Sequence, residues 1–171
     1  MAHPQHDSVR LHFDSRCGYC GVADQDAGGE FTVDHFVPVV HGGGEDEANL
    51  VYCCFRCKLY KSDFFPSKAD RDAERLILHP LRDDVTCHFV INTATGMLDG
   101  LTETGRFHIA LLHLNRPQLV TYRLRGRLFQ LIEARHEMLQ DENRELRTIL
   151  AAQQKYIDRL LHLLGETPQQ S

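Results

Sequence analysis

Short β-prone runs occupy the first part of this chain, and one helical period occupies the last. Glu30-Phe31-Thr32-Val33 is a brief strand-like stretch ending at Asp34-His35, and a second apolar run starts at Leu50-Val51, just after Asn49. Residues 41–48 between them, with Gly42-Gly43-Gly44 and then Glu45-Asp46-Glu47, read as a loop. The pattern next predicts a helix from about Cys54 to Asp63, broken by Pro66-Ser67, and a second from Arg71 to Leu78 before His79-Pro80. Residues 87–91 and 96–101 predict a hairpin turning at Thr93-Ala94-Thr95. Thr102 is a good N-cap for a helix carrying Phe107, Ala110, Leu111 and Leu114.

From Asn115-Arg116-Pro117 onward the period is helical. Asn caps and Pro is tolerated in a first turn. No proline follows before Leu164, and the one glycine is Gly126. Such a helix would be roughly 70 Å long at ~1.5 Å per residue, more than a small domain buries on itself. Leu128, Ile132, Leu139, Leu146, Ile149, Leu160 and Leu163 approximate a heptad seam, interrupted by Arg135, Glu142, Gln153 and Tyr156. Two readings stand: a coiled coil with a second copy or a protein partner, or a helix broken near Gly126 and folded back. Together the elements predict an α+β protein in three parts: 8–64, 65–115 and 116–165.

Composition narrows this modestly. The 171 residues carry a net charge of -5. Residues 1–70 hold 6 basic and 11 acidic groups, so the first part is the acidic one. Binding phosphate there would need a basic patch, a cation or a partner. Arg116, Arg123, Arg125 and Arg127 have no acidic residue among them. They read either as a solvated face or as a stripe that contacts nucleic-acid phosphates. No apolar run reaches the roughly 18 residues of a membrane span, and the N-terminus lacks a signal pattern. A cytoplasmic location is the resulting expectation.

The cysteines carry the strongest chemistry. Cys17/Cys20 and Cys54/Cys57 are two chelating pairs, and four thiolates suit one structural zinc. Cys53 is adjacent to Cys54, but Cys54 restores the two-residue gap to Cys57. Cys53 and Cys87 are then read as small core residues. His79, His88, His108 and His113 show no ligand spacing and receive no role.

Cys17-x-x-Cys20, Asp34-His35, Asn49-Leu50-Val51 and Cys54-x-x-Cys57, in that order, resemble the HNH endonuclease motif in its zinc-containing, four-cysteine form. Residues 13–64 carry the resemblance. The later segment from His79-Pro80-Leu81 through Gly100-Leu101-Thr102 to Leu114-Asn115-Arg116-Pro117 resembles an extension of some bacterial HNH proteins, which names no function. The resemblance implies a zinc-stapled ββα-metal core that hydrolyses phosphodiester bonds in DNA. It implies His35 as general base, Asp34 as ligand of Mg²⁺ or a similar divalent ion, and Asn49 holding the His35 ring or its loop. Lys61 matches a lysine common in the family and is expected to face phosphate or solvent.

One position departs from the family pattern. The residue after the last cysteine is usually His or Asn, a second metal ligand, and here it is Lys58. An ammonium has no lone pair for a cation. Three readings compete. Asp34 holds the metal with substrate oxygens while Lys58 contacts phosphate; or His41 replaces the missing ligand; or the site is weak or inactive, leaving a module that binds nucleic acid or a protein.

Overall fold

The computed structural model describes residues 3–165. The chain divides into two compact units, one running to Arg125 and the other starting at Gly126.

The first unit is built around a hairpin and a helix. Strand β1 (Phe31–His35) pairs antiparallel with β2 (Leu50–Cys54), with Asp34 opposite Val51 and His35 opposite Leu50. A helix corresponding to the predicted one follows directly as α2 (Phe55–Lys61). This is the expected ββα order. All five residues of β2 are buried, so both of its faces are covered. A strand covered on both faces reads as a continuous apolar run, and Leu50-Val51-Tyr52-Cys53 is one. Helix α1 (His6–His12) packs on it, and Val9 and Phe13 join the core formed by Val33, Leu50, Val51 and Tyr52.

The segment after α2 packs on the same core. The helix expected at Arg71–Leu78 instead occupies Lys68–Asp72 (α3). Ser67, expected to end a helix, starts this one: its hydroxyl accepts from the Asp70 N–H, and the Asp70 carboxylate returns a bond to the Ser67 N–H. Glu74, at φ 54°, then turns the chain out of helix. The expected hairpin is present but shorter, as β3 (Phe89–Ile91) and β4 (Leu98–Gly100). Thr102 caps α4 (Glu103–Leu111) by accepting from the Gly105 N–H at 3.0 Å. Ile109, Leu112, Leu114 and Leu119 complete the core.

Two histidines pin this segment. His108 Nδ1 accepts from the Leu78 N–H at 3.0 Å, and His79 Nε2 bonds the Ala48 carbonyl at 3.1 Å. Of the spare cysteines, Cys53 is buried in the core as expected, where burial pushes its thiol up. Cys87 is a correction: it is exposed beside Asp84, because residues 85–87 form a 3₁₀ turn rather than the start of a strand.

Helix α5 (Pro117–Leu163) runs through Gly126 without a break. Among the described residues nothing lies within 4 Å of where a Cβ on Gly126 would stand, and glycine's propensity cost of ~1 kcal/mol does not break the helix there. Asn115 does not cap it. Its amide pairs with Leu98, accepting from the N–H at 2.7 Å and donating to the carbonyl at 2.9 Å. In the second unit Leu128, Ile132, Leu139, Leu146, Ile149, Leu160 and Leu163 are all exposed.

Candidate active site

The four cysteines meet. Their sulfurs all lie within 4.8 Å of one another, with Cys20 and Cys54 3.9 Å apart. Zn–S bonds of ~2.3 Å place tetrahedral sulfurs about 3.8 Å apart, so this donor set fits zinc. Local structure explains the convergence. Cys17 and Cys20 sit on a tight turn closed by the Gly21 N–H on the Cys17 carbonyl, with Gly21 at φ 74°. Cys54 ends β2 and Cys57 lies in the first turn of α2. Burial raises the Cys17 thiol, while hydrogen bonding from Cys17 lowers Cys20 and Cys54. Four crowded sulfurs cannot all ionise without a cation among them. Zinc held by these four sulfurs would supply a staple between the Cys17 turn and the β2–α2 junction.

Arg116 belongs to this cluster. Its guanidinium lies 3.7 Å from Cys57 Sγ and 3.9 Å from the sulfurs of Cys20 and Cys54. Burial alone would lower Arg116; the adjoining thiolates outweigh it and raise it. Arg123 is likewise committed, donating to the carbonyls of Gly96 and Leu114 and to Asn115. Both arginines are half-buried and hydrogen-bonded within the fold, so neither is simply part of a solvated face. Arg125 and Arg127 are exposed and form no ion pair among the described residues.

Asp34 is also committed. It is 6% exposed, and its Oδ2 accepts from the Tyr19 hydroxyl at 2.9 Å and pairs with Lys61 Nζ at 3.1 Å. Lys61 is 1% exposed, so the expectation that it faces phosphate or solvent is corrected. The cause lies in the sheet. Carbonyls of Glu30 and neighbours in alternation point toward β2, since Phe55 N–H donates to Glu30. Those of Val33 and His35 lie on the free edge of β1. Lys58 donates to the Val33 carbonyl at 2.7 Å and Lys61 to that of His35 at 2.8 Å. Two ammonium groups three residues apart on α2 thus satisfy carbonyls two residues apart on β1.

His35 emerges at the end of β1, half-buried. Its Nε2 lies 3.0 Å from Glu45 Oε1, and His3 Nε2 lies 2.8 Å from Glu45 Oε2. Hydrogen bonds from His3 and then His35 lower the Glu45 carboxyl, so it is an acceptor at neutral pH. His35 therefore carries its proton on Nε2. Its Nδ1 has no hydrogen bond among the described residues. Asn49 sets the loop that delivers Glu45. Its amide accepts from the Val37 N–H at 2.8 Å and donates to the carbonyls of Val37 at 3.1 Å and Gly44 at 2.9 Å. A Cβ on Gly43 would stand 1.7 Å from the Val37 carbonyl oxygen; only glycine fits.

Residues 17–64 match the family model described as HNH endonuclease. This segment is an HNH endonuclease domain. The chain is also similar to Septu protein PtuA of Bacillus mycoides (strain KBAB4), 27% identical over 143 residues, which cover 67% of this chain and 20% of that protein. This chain therefore spans about a fifth of that relative's length. No solved structure matches it.

Within the HNH domain, the residues expected to hold a catalytic divalent ion do not fit one. Asp34 is occupied on Oδ2 by Tyr19 and Lys61, and Lys58 brings a second positive charge to the same strand. His41 does not replace the missing ligand. It is exposed, stacks on Phe65 with ring centroids 5.0 Å apart, and joins no metal-ligating cluster among the described residues. Sequence reasoning missed Tyr19, Glu45 and His3. Glu45 sits in an acidic run that reads as a solvated loop, and His3 lies 32 positions before His35; neither carries a local signal.

Proposed function

We propose that this protein is an endonuclease that hydrolyses phosphodiester bonds in DNA, with His35 as general base. The observation carrying this reading is the His35–Glu45 pair. A carboxylate at Nε2 keeps the lone pair on Nδ1, orients the ring, and stabilises the imidazolium formed when Nδ1 takes a proton from water. Asn49 positions the loop that supplies this carboxylate. Lys58, half-buried and holding Val33 through one N–H, keeps its remaining N–H groups for a substrate phosphate, where positive charge lowers the barrier. Of the four arginines between 116 and 127, Arg125 and Arg127 form no ion pair among the described residues and are available to nucleic acid. The test is nicking of supercoiled plasmid with Mg²⁺, Mn²⁺ or EDTA, wild type against His35→Ala, on protein carrying one Zn²⁺ per chain. Equal cleavage by both would remove His35 as base.

A second reading is favoured by the two lysines around Asp34: an HNH module that binds nucleic acid or a protein without cutting. Lys58→Asn separates the two. Cleavage by Lys58→Asn where the wild type has none would make the natural protein a binder, provided zinc content and circular dichroism are unchanged. The exposed apolar seam of α5 supports association with a second copy or with a larger protein, as does similarity to one fifth of a longer relative. Light scattering over a range of concentrations reads out self-association. A constant monomer mass leaves only the hetero-partner.

A further inference from the structure

We propose that His3, His35 and Glu45 form a second metal site, separate from the four cysteines, which binds Zn²⁺ or a similar transition-metal dication and thereby switches off His35 as a base. One ring nitrogen of each histidine and a carboxylate oxygen of Glu45 all lie within 4.8 Å of one another, and in both histidines it is Nε2 that faces the carboxylate. Two histidines and one carboxylate suit zinc and related ions, with positions left over for water. Mg²⁺ prefers oxygen ligands and is not the ion this set selects.

The three ligands are already assembled. The two imidazoles grip opposite oxygens of Glu45, at 2.8 and 3.0 Å, and their rings meet edge to face with centroids 5.9 Å apart. Both histidine side chains are about four-fifths covered, at 18% and 20% exposure. Each ligand has a fixed base: His35 ends a paired strand, Glu45 follows the loop clamped by Asn49, and His3 leads into α1 through its carbonyl, which accepts from the His6 N–H at 2.9 Å. A metal at this point replaces the hydrogen bonds that now join the rings to the carboxylate. It costs one further contact, the exposed 3.2 Å bond from the Gln5 N–H to His3 Nδ1.

The consequence for His35 follows from its tautomer and rests on the reading of His35 as base. With Glu45 as acceptor, the proton sits on Nε2 and Nδ1 is basic. A metal on Nε2 displaces the proton there and bonds the lone pair so freed, and the neutral ring must then carry its proton on Nδ1. The same ring then has no site for a proton from water. The protein is active with this second site empty and inactive with it filled.

Zinc and Co²⁺ titrations of the full chain test the site without recourse to cleavage. Wild type is expected to bind two Zn²⁺ per chain and His3→Ala one. The second Co²⁺ should give weak ligand-field bands without the sulfur-to-cobalt charge-transfer absorption of the cysteine site. In the plasmid assay, Zn²⁺ beyond the first equivalent should suppress wild-type nicking at least tenfold. In His3→Ala, suppression relative to its own rate at one Zn²⁺ per chain should require at least tenfold more Zn²⁺. One equivalent in the wild type, or two in His3→Ala, overturns the site. Activation by the second equivalent overturns the switch. A wild type that never nicks refutes the nuclease reading, and the site is then decided by stoichiometry alone.

Discussion

Replacing Asp34 by Asn tests whether this carboxylate holds the fold or a metal. The perturbation removes one charge and keeps the shape and the acceptor for Tyr19. Lys61 remains, 1% exposed, with its ammonium 3.1 Å from the former carboxylate. A buried charge stripped of its partner costs about 3–5 kcal/mol. For a protein of this size that lowers Tm by roughly 10 °C. Lys61→Met alone strands the carboxylate instead and should cost a similar amount. The double variant Asp34→Asn/Lys61→Met removes both charges and should recover most of the loss, although the His35 carbonyl loses its donor. Urea unfolding of the zinc-loaded proteins measures all three, and the double-mutant cycle isolates the coupling. If Asp34→Asn costs under ~1 kcal/mol yet abolishes a Mg²⁺-dependent cleavage, the ion pair is incidental and Asp34 is a metal ligand after all.

Three other expectations follow from the same geometry. Arg116→Ala removes the cation facing three of the four zinc-binding sulfurs and should weaken zinc binding about 10–100-fold, as loss of outer-shell partners does; competition with a chromophoric chelator reads this, and unchanged affinity would separate Arg116 from the cluster. His108 is pushed down to about 4, by burial first and then by the charge of His88; the unfolded chain takes up that proton near pH 6.5, so stability is full above 6.5 and falls by roughly 3 kcal/mol as pH drops to 4. His108→Asn keeps an acceptor for the Leu78 N–H and should flatten that acid slope in urea titrations at pH 7 and 4.5. Gly43→Ala forces the Glu45 loop away from Val37, should cost about 1–3 kcal/mol, and should lower nicking further than a purely thermal loss explains; wild-type nicking and stability would mean that the loop yields without disturbing His35.

Much of the frame was legible because it is written in local terms. Two Cys-x-x-Cys pairs name their own partner ion, and the runs at 31–35 and 50–54 are strand-like by composition. Thr102 is a cap wherever a helix follows it. Other elements resisted for equally local reasons. The stretch 71–78 has apolar residues at helical spacing, but the reciprocal Ser67–Asp70 cap started a helix earlier and Glu74 ended it. The free edge of β1 was invisible, because which carbonyls lack partners depends on pairing with β2. That edge is where Lys61 is held and where Lys58 spends one of its N–H groups.

The sequence by itself determined that this chain has a four-cysteine cluster, an Asp-His strand end, an HNH domain and a long final helix. Only the tertiary structure decided what the charged residues do. Asp34 read as a metal ligand, and Lys61, Arg116 and Arg123 as groups facing phosphate or solvent; all four are engaged within the fold. The reason is physical. A spacing pattern fixes which side chains share a turn or a strand, but the partner of a charge is set by whichever opposite charge or open carbonyl lies nearest in three dimensions. His3 and Glu45 reach His35 from 32 and 10 residues away, and no period in the chain foretold that meeting.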